Sequence, residues 1–288
     1  YEHELLLSPA QKQDMFDYMN WNALEENRYY RYDFFFDNCA TRIRDIIDSI
    51  VAKPIHWPES ELPADQSFRQ LIDPYLAHTP FLDLGIDLLL GSPSDATSEV
   101  SGTMFLPDHL MQAFEGARIG EMETSTPLTA KPITIYQSPE NDFPSPGIKP
   151  WMISLTVFMA ALLVSMVEWR RGIHLPFFDG ILFGFTGLLG LFMCFMWFGT
   201  DHTVLPWNLN LIWAWPFSFV ICPWIWSKNI PTWTKIYFNL YTIATAFCLS
   251  SIPILPQEIH KGIIFFLFAL LIRSFSRSSF EKYLIKES

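Results

Sequence analysis

The hydrophobic positions of this 288-residue chain change character at about residue 150. Before it they come in short, interrupted groups; after it they form long unbroken runs. In the first half, Ser8-Pro9 has the form of a helix start, with serine as N-cap and proline at the first helical position. Met15, Phe16, Met19 and Trp21 are the apolar residues of a helix reaching about Leu24. Tyr30, Tyr32, Phe34 and Phe36 recur at period two and predict a short strand or extended segment. Asp37-Asn38 predicts the next helix start. Ile43, Ile46, Ile47 and Ile50 then mark the buried face of a helix running from Cys39 to about Ala52. Pro54, Pro58 and Pro63 form a loop, and helices are expected over Gln66–Leu76, Phe81–Leu90 (stopped by Gly91) and Met104–Ala117. Residues 120–150, with Pro127, Pro132, Pro139, Pro144, Pro146 and Pro150, read as an extended, strand-poor connector.

From Trp151 five apolar segments follow: Trp151–Glu168, Gly180–Phe198, Leu205–Trp226, Ile236–Ile254 and Gly262–Ile272. A spanning helix needs about 20 mostly apolar residues. The first four segments meet that length, and the fifth is cut short by Arg273. Trp151, Trp169, Trp197, Trp207, Trp224 and Trp226 sit near segment ends, where interfacial tryptophans belong. Arg170-Arg171, Lys228 with Lys235, and Arg273, Arg277, Lys282 and Lys286 all fall on one side. Lys261 is the lone base in the loops of the other. The positive-inside rule makes the basic side cytoplasmic, so the N-terminal half lies outside an inner membrane and the C-terminus inside. The organisation expected is an extracytoplasmic domain over 1–119, a connector over 120–150, a membrane domain over 151–274 and a cytoplasmic tail over 275–288.

Charge sharpens the division. The formal net charge is −11, but residues 151–288 carry nine bases against six acids, and residues 1–150 ten bases against twenty-four acids. The acidic half is a poor partner for nucleic acid, and no basic aromatic platform is present. Of the four cysteines, Cys194, Cys222 and Cys248 sit inside apolar runs, as small packing residues do. Cys39 has no partner in its own half. The seven histidines are scattered and no cysteine pair has chelating spacing, so neither a metal centre nor a cofactor is expected.

Cys39 is the candidate for chemistry. It falls in the first turn of its helix, where the partial positive charge of the helix start favours a thiolate, and Arg42 and Arg44 add nearby cations. The alternative is a small buried thiol. Its backbone N–H is placed to stabilise an oxyanion. Asn38 is either the helix cap or a second oxyanion donor, and Tyr32 either flanks the thiol or fills the core. Arg42 and Arg44 either hold a lipid phosphate or pair with Asp37 and Asp45. In the membrane half, Asp201, His202, Asn208 and Asn210 cluster in sequence at the outer end of the second and third apolar segments. They offer a polar lining for a headgroup or substrate, or else an ordinary wet interfacial loop.

The stretch Asn27-Arg28-Tyr29-Tyr30-Arg31-Tyr32-Asp33-Phe34-Phe35-Phe36-Asp37-Asn38-Cys39-Ala40-Thr41-Arg42 resembles the outward-facing domain of the Lnb-type bacterial lipoprotein N-acyltransferases. The resemblance continues through Phe68–Leu76, Leu84–Gly91, Phe105–Asp108, Thr200-Asp201-His202 and Asn208–Trp213, and so covers nearly the whole chain. It implies an α+β, papain-like domain of the permuted NlpC/P60 type, followed by an α-helical multi-span membrane domain. Such permuted folds carry the catalytic His on a strand upstream of the Cys. His3 is the one histidine before Cys39, and Tyr1-Glu2-His3-Glu4 lacks the Gly-His form of that motif. Tyr1 to Leu7 reads as the middle of a domain, so the domain is expected to be N-terminally incomplete and the base to lie upstream of Tyr1. His56, His78 and His109 have no motif support and are expected at the surface.

The resemblance implies a Cys39 thioester that carries an acyl chain from a phospholipid to the α-amino group of a diacylated lipoprotein, both substrates held by the bilayer. Two other readings use the same residues: a membrane-anchored cysteine peptidase or amidase acting on cell-wall peptides, and a non-enzymatic membrane scaffold with Cys39 buried.

Overall fold

Which backbone groups find partners decides how this chain divides. A computed structural model describes residues 1–59, 62–63, 65–137, 147–227 and 231–279. Lys228, Lys282, Lys286, Pro139, Pro144 and Pro146, used above for orientation and for the connector, lie outside the described residues. The helices are α1 (Pro9–Ala23), α2 (Cys39–Val51), α3 (Phe68–Leu76), α4 (Pro80–Leu89), α5 (Val100–Thr103), α6 (Pro107–Gly116), α7 (Pro150–Arg171), α8 (Pro176–Phe198), α9 (Phe217–Ile225), α10 (Thr232–Ser251) and α11 (Ile264–Ser279). Three two-residue strands, β1 (Ile55–His56), β2 (Arg118–Ile119) and β3 (Thr126–Pro127), form an antiparallel sheet in the order β1-β2-β3.

The chain forms two compact units: Tyr1–Leu71 with Ala96–Asp142, and Ile72–Asp95 with Phe143–Ser288. In the first, α2 packs between α1 and α6 over a core of Ile47, Val51, Met104, Leu110, Ala113 and Leu128. Ser8 caps α1 as expected, in a reciprocal capping box with Gln11. The residues before it are extended. Glu2 and Ile133 exchange backbone hydrogen bonds at 2.9 Å in each direction, and Leu5 bridges Thr129. The connector expected from residue 120 is therefore folded as far as residue 133, through β3 and these bridges. Pro127 sits on the edge strand β3, where a missing N–H costs nothing.

The period-two aromatics do not form a strand. Asp33 and Asp37 pair across a tight turn, with N···O distances of 3.0 and 3.1 Å, and the Asp33 carboxylate accepts from the backbone N–H of both Phe35 and Phe36. The turn drives Phe35 inward against Phe68 and Phe105, each ring centroid 5.0 Å away, and leaves Phe34 and Phe36 exposed. A side-chain acceptor that closes a turn has overridden β-propensity.

Among the described residues of the second unit, four helices are long and apolar enough to cross a membrane: α7, α8, the stretch Thr232–Ile254 that contains α10, and the stretch Lys261–Ser279 that contains α11. The segment that falls short is the third expected one. It breaks into a 3₁₀ turn at Leu209–Ile212 and the nine-residue α9, with Pro216 between them. The fifth, expected to end at Arg273, continues to Ser279 because its charges are neutralised. The Arg273 guanidinium, fully buried, donates to both Asp179 oxygens (2.6 and 2.8 Å), to Glu168 Oε2 (2.8 Å) and to Ser165 (2.7 Å). Arg277 adds a contact to Asp179, and Glu168 also accepts the Leu175 N–H at 2.7 Å. Two arginines and two carboxylates make a cluster with no net formal charge, which is what a hydrocarbon interior tolerates. The cluster ties the end of α7, the start of α8 and the end of α11. Elsewhere Gly187 and Gly190 let α8 approach the backbone of Phe219 and Ala214 too closely for any Cβ.

Residues 72–95 belong with the membrane helices rather than with residues 1–71. The last carbonyls of α4 explain this. Asn208 donates to the carbonyls of Leu88 and Leu89 at 2.8 and 3.0 Å, Asn210 donates to that of Leu88 at 3.3 Å, and Gln257 donates to that of Leu90 at 3.1 Å.

The charge cluster makes a differential prediction. Arg273→Leu leaves two carboxylates sharing one arginine and should cost roughly 3–5 kcal/mol. Arg273→Leu combined with Asp179→Leu retains the Glu168–Arg277 pair and should recover much of that loss. Thermal unfolding in detergent checks it; a single variant as stable as the parent contradicts it.

Candidate active site

The candidate nucleophile is placed by its neighbour. Asn38, 4 % exposed, accepts from the backbone N–H of Ala40 (2.8 Å) and Thr41 (2.9 Å) through Oδ1. Its Nδ2 donates to the carbonyls of Phe34 (2.9 Å) and Phe105 (2.8 Å). Thr41 Oγ1 completes the capping box by accepting the Asn38 N–H at 2.8 Å. Both amide donors of Asn38 are thus consumed inside the protein, and of its two expected roles the geometry leaves the cap. Cys39 then occupies the first residue of α2 with its side chain exposed, and its backbone N–H has no partner among the described residues. That N–H is one of the open donors at a helix start. The buried-thiol reading does not fit this placement.

The two arginines are already partnered. Arg42 forms a two-pronged pair with Asp37 (2.8 and 3.0 Å) and lies over the Tyr30 ring, 3.5 Å from its centroid. Hydrogen bonding to Asp37 raises the Arg42 guanidinium above its ordinary value. Arg44 bonds Asp45 (2.7 Å) and the Ser101 carbonyl (2.6 Å). Both are ion-paired, the second of the two roles considered for them. Tyr32 is half exposed beside Cys39. Partial burial, and after it the negative charge of a Cys39 thiolate, raise the Tyr32 hydroxyl above its usual value.

Cys39 opens on a pocket of about 260 Å³ whose walls are almost wholly apolar: Ala40, Ile43, Pro107, Leu110, Met111 and Phe114. This explains why Ile43, expected on the buried face of α2, is half exposed while Ile47 is buried: it faces the pocket. The remaining lining residue is His3. The extended segment that bridges at Glu2 and Leu5 carries it there, and its Nδ1 is buried with no hydrogen-bond partner among the described residues. Sequence reasoning set His3 aside for lack of a motif. Its place in the pocket depends on the isolated bridges from Glu2 and Leu5 to Ile133 and Thr129, which sequence alone does not reveal. His56 hydrogen-bonds the Gly120 carbonyl at 2.8 Å, and neither it nor His78 or His109 lines the pocket.

The second expected constellation separates. Asp201 and His202 are exposed. Asn208 and Asn210, 3 % and 1 % exposed, are occupied by the α4 carbonyls and by each other, and Asn210 Oδ1 accepts the Trp213 indole N–H at 3.1 Å. They are structural polar groups of a helix end. A cluster that the sequence hid lies in the same unit: Asp83 and Asp87, one turn apart on α4, with His260, their ligand atoms within 4.8 Å of one another. His260 Nδ1 accepts the Gly262 N–H at 2.9 Å, which leaves Nε2–H to donate to Asp83 at 3.2 Å.

Residues 1–73 match the family model of the Lnb N-terminal periplasmic domain, and residues 140–283 match that of the Lnb transmembrane domain. No curated protein and no solved structure matches the chain. The second match covers half of the sequence, the first lies upstream of it, and the four apolar helices fall inside the transmembrane match. The chain is a membrane protein of the Lnb family, with a periplasmic N-terminal domain followed by a transmembrane domain.

Proposed function

We propose that this protein is a cysteine-dependent lipoprotein N-acyltransferase of the inner membrane, with a permuted papain-like periplasmic domain and a cytoplasmic C-terminus. The observation that carries the reading is an exposed thiol at a helix start that opens directly on an apolar pocket of about 260 Å³. A peptidase needs polar groups to hold a peptide backbone, whereas this lining offers hydrocarbon and one imidazole. An acyl chain is the substrate part that such walls accept. The basic residues Arg170, Arg171 and Lys235, on one side of the membrane by sequence, support the orientation.

In the first step the Cys39 thiol loses its proton to His3, and Sγ attacks the ester carbonyl of a phospholipid. The negative oxygen of the tetrahedral intermediate is met by the free Cys39 N–H. The C–O bond to glycerol breaks, the alcohol leaves with the proton held by His3, and a thioester remains. In the second step the α-amine of a diacylated lipoprotein attacks the thioester carbonyl, gives up a proton to His3, and the C–S bond breaks. An amide forms and the thiol is restored. Asp37 and Arg42 act as a positioning pair that fixes the turn before the nucleophile, and Asn38 fixes the helix start itself.

Three outcomes follow. Cys39→Ser should leave lipoproteins diacylated by mass spectrometry in cells with no other such enzyme, and persistent triacylation there rejects the reading. His3→Ala should lower the acylation rate about 10²–10⁴-fold while Cys39 stays reactive to a small thiol probe; an unchanged rate removes His3 from the mechanism. Asn38→Ala should cost about 2 kcal/mol in thermal unfolding and slow acylation, because the cap is lost and the carbonyls of Phe34 and Phe105 lose their partner. Unaltered stability and rate would show that the cap does not place the thiol.

A further inference from the structure

A second, larger cavity lies wholly within the membrane unit. It is a groove of about 460 Å³ between α7 and α8, floored by Leu182, Trp213 and Ile263, all less than a tenth exposed. Its rim is Ile153 on α7 and Phe177, Ile181 and Phe185 on α8, each about half exposed or more, so the groove opens sideways toward the bilayer. The one hydroxyl in the lining, that of Ser154, is turned back onto the Trp151 carbonyl at 3.0 Å. Along α8 the lining runs from Phe177 to Leu189, about 18 Å at the helical rise, a little over half of a hydrocarbon core of about 30 Å. The absence of any free polar group in the lining suits an acyl chain.

The end of the groove at which α7 begins is different. Pro150 and Gly262 both line it there and are in contact: a Cβ on Gly262 would lie 2.9 Å from that of Pro150. The residue before each is an exposed lysine, Lys149 as the N-cap position of α7 and Lys261 at the start of the 3₁₀ turn that leads into α11. Neither lysine has a carboxylate partner among the described residues. The carboxylate of Asp83, held by His260, and that of Asp87 stand on the α4 side of the same end. Two exposed lysines, each next in the chain to a residue of the lining, are complementary to a phosphate diester, and the neighbouring carboxylates tolerate a headgroup that also carries an amine.

We infer that this groove is a phospholipid-binding site, which takes one acyl chain between α7 and α8 and holds the lipid phosphate with Lys149 and Lys261. Lipid occupancy of the groove, rather than acylation, is the readout.

Native mass spectrometry of the detergent-purified protein with added dipalmitoyl phosphatidylglycerol, phosphatidylethanolamine or diacylglycerol tests it. The expected result is one tightly retained phospholipid of either headgroup, and at least tenfold weaker retention of diacylglycerol. Val157→Trp, which fills the slot, should reduce phospholipid occupancy at least tenfold. The double variant Lys149→Ala with Lys261→Ala, confined to exposed side chains and expected to fold, should reduce it similarly while leaving diacylglycerol unchanged. Equal retention of phospholipid and diacylglycerol by the parent overturns the proposal, as does parental phospholipid occupancy in the lysine double variant.

Discussion

The four hydrogen bonds of one amide side chain hold the periplasmic site together. Asn38 Oδ1 begins α2 by taking two of its open N–H groups, and Nδ2 ties that start to the aromatic turn at Phe34 and to the Phe105 carbonyl. A side chain with only acceptors could do the first and not the second. Because the turn, the helix and the Phe35–Phe68–Phe105 cluster all meet at this residue, the next residue has one position available to it. That position leaves a thiol exposed, a backbone N–H unpaired and an apolar pocket in front of both. The arginines that seemed in sequence to offer charge to a substrate are spent on Asp37 and Asp45. The electrostatic help for a thiolate therefore comes from the helix start.

The membrane unit obeys the opposite economy. Its buried polar groups find partners inside the protein: Asn208, Asn210 and Gln257 at the end of α4, and Arg273 at Asp179, Glu168 and Ser165. In hydrocarbon an unpaired group of this kind would cost several kcal/mol.

Local chemistry was legible in the sequence and long-range pairing was not. Ser8-Pro9 and Asp37-Asn38 announced helix starts because capping is written within four residues, and both are helix starts in the structure. The alternation from Tyr30 to Phe36 misled, because Asp33 closes a turn through backbone N–H groups that periodicity does not see. Arg273 read as the end of a span because its counter-charges, Glu168 and Asp179, lie about a hundred residues earlier. Asn208 and Asn210 read as a site because polar residues in an apolar run call for partners, and their partners are carbonyls more than a hundred residues away. His3 was passed over for the same reason: its relation to Cys39 depends on a bridge to residues 129–133.

The central claim is that Cys39 carries the acyl group. Intact-mass analysis of the purified protein, incubated with a phospholipid of defined chains and no amine acceptor, tests it most directly. The account predicts a gain of one acyl chain, mapped to Cys39 and released by hydroxylamine as a thioester. A Cys39 that stays unmodified while the same preparation acylates a lipoprotein would contradict it.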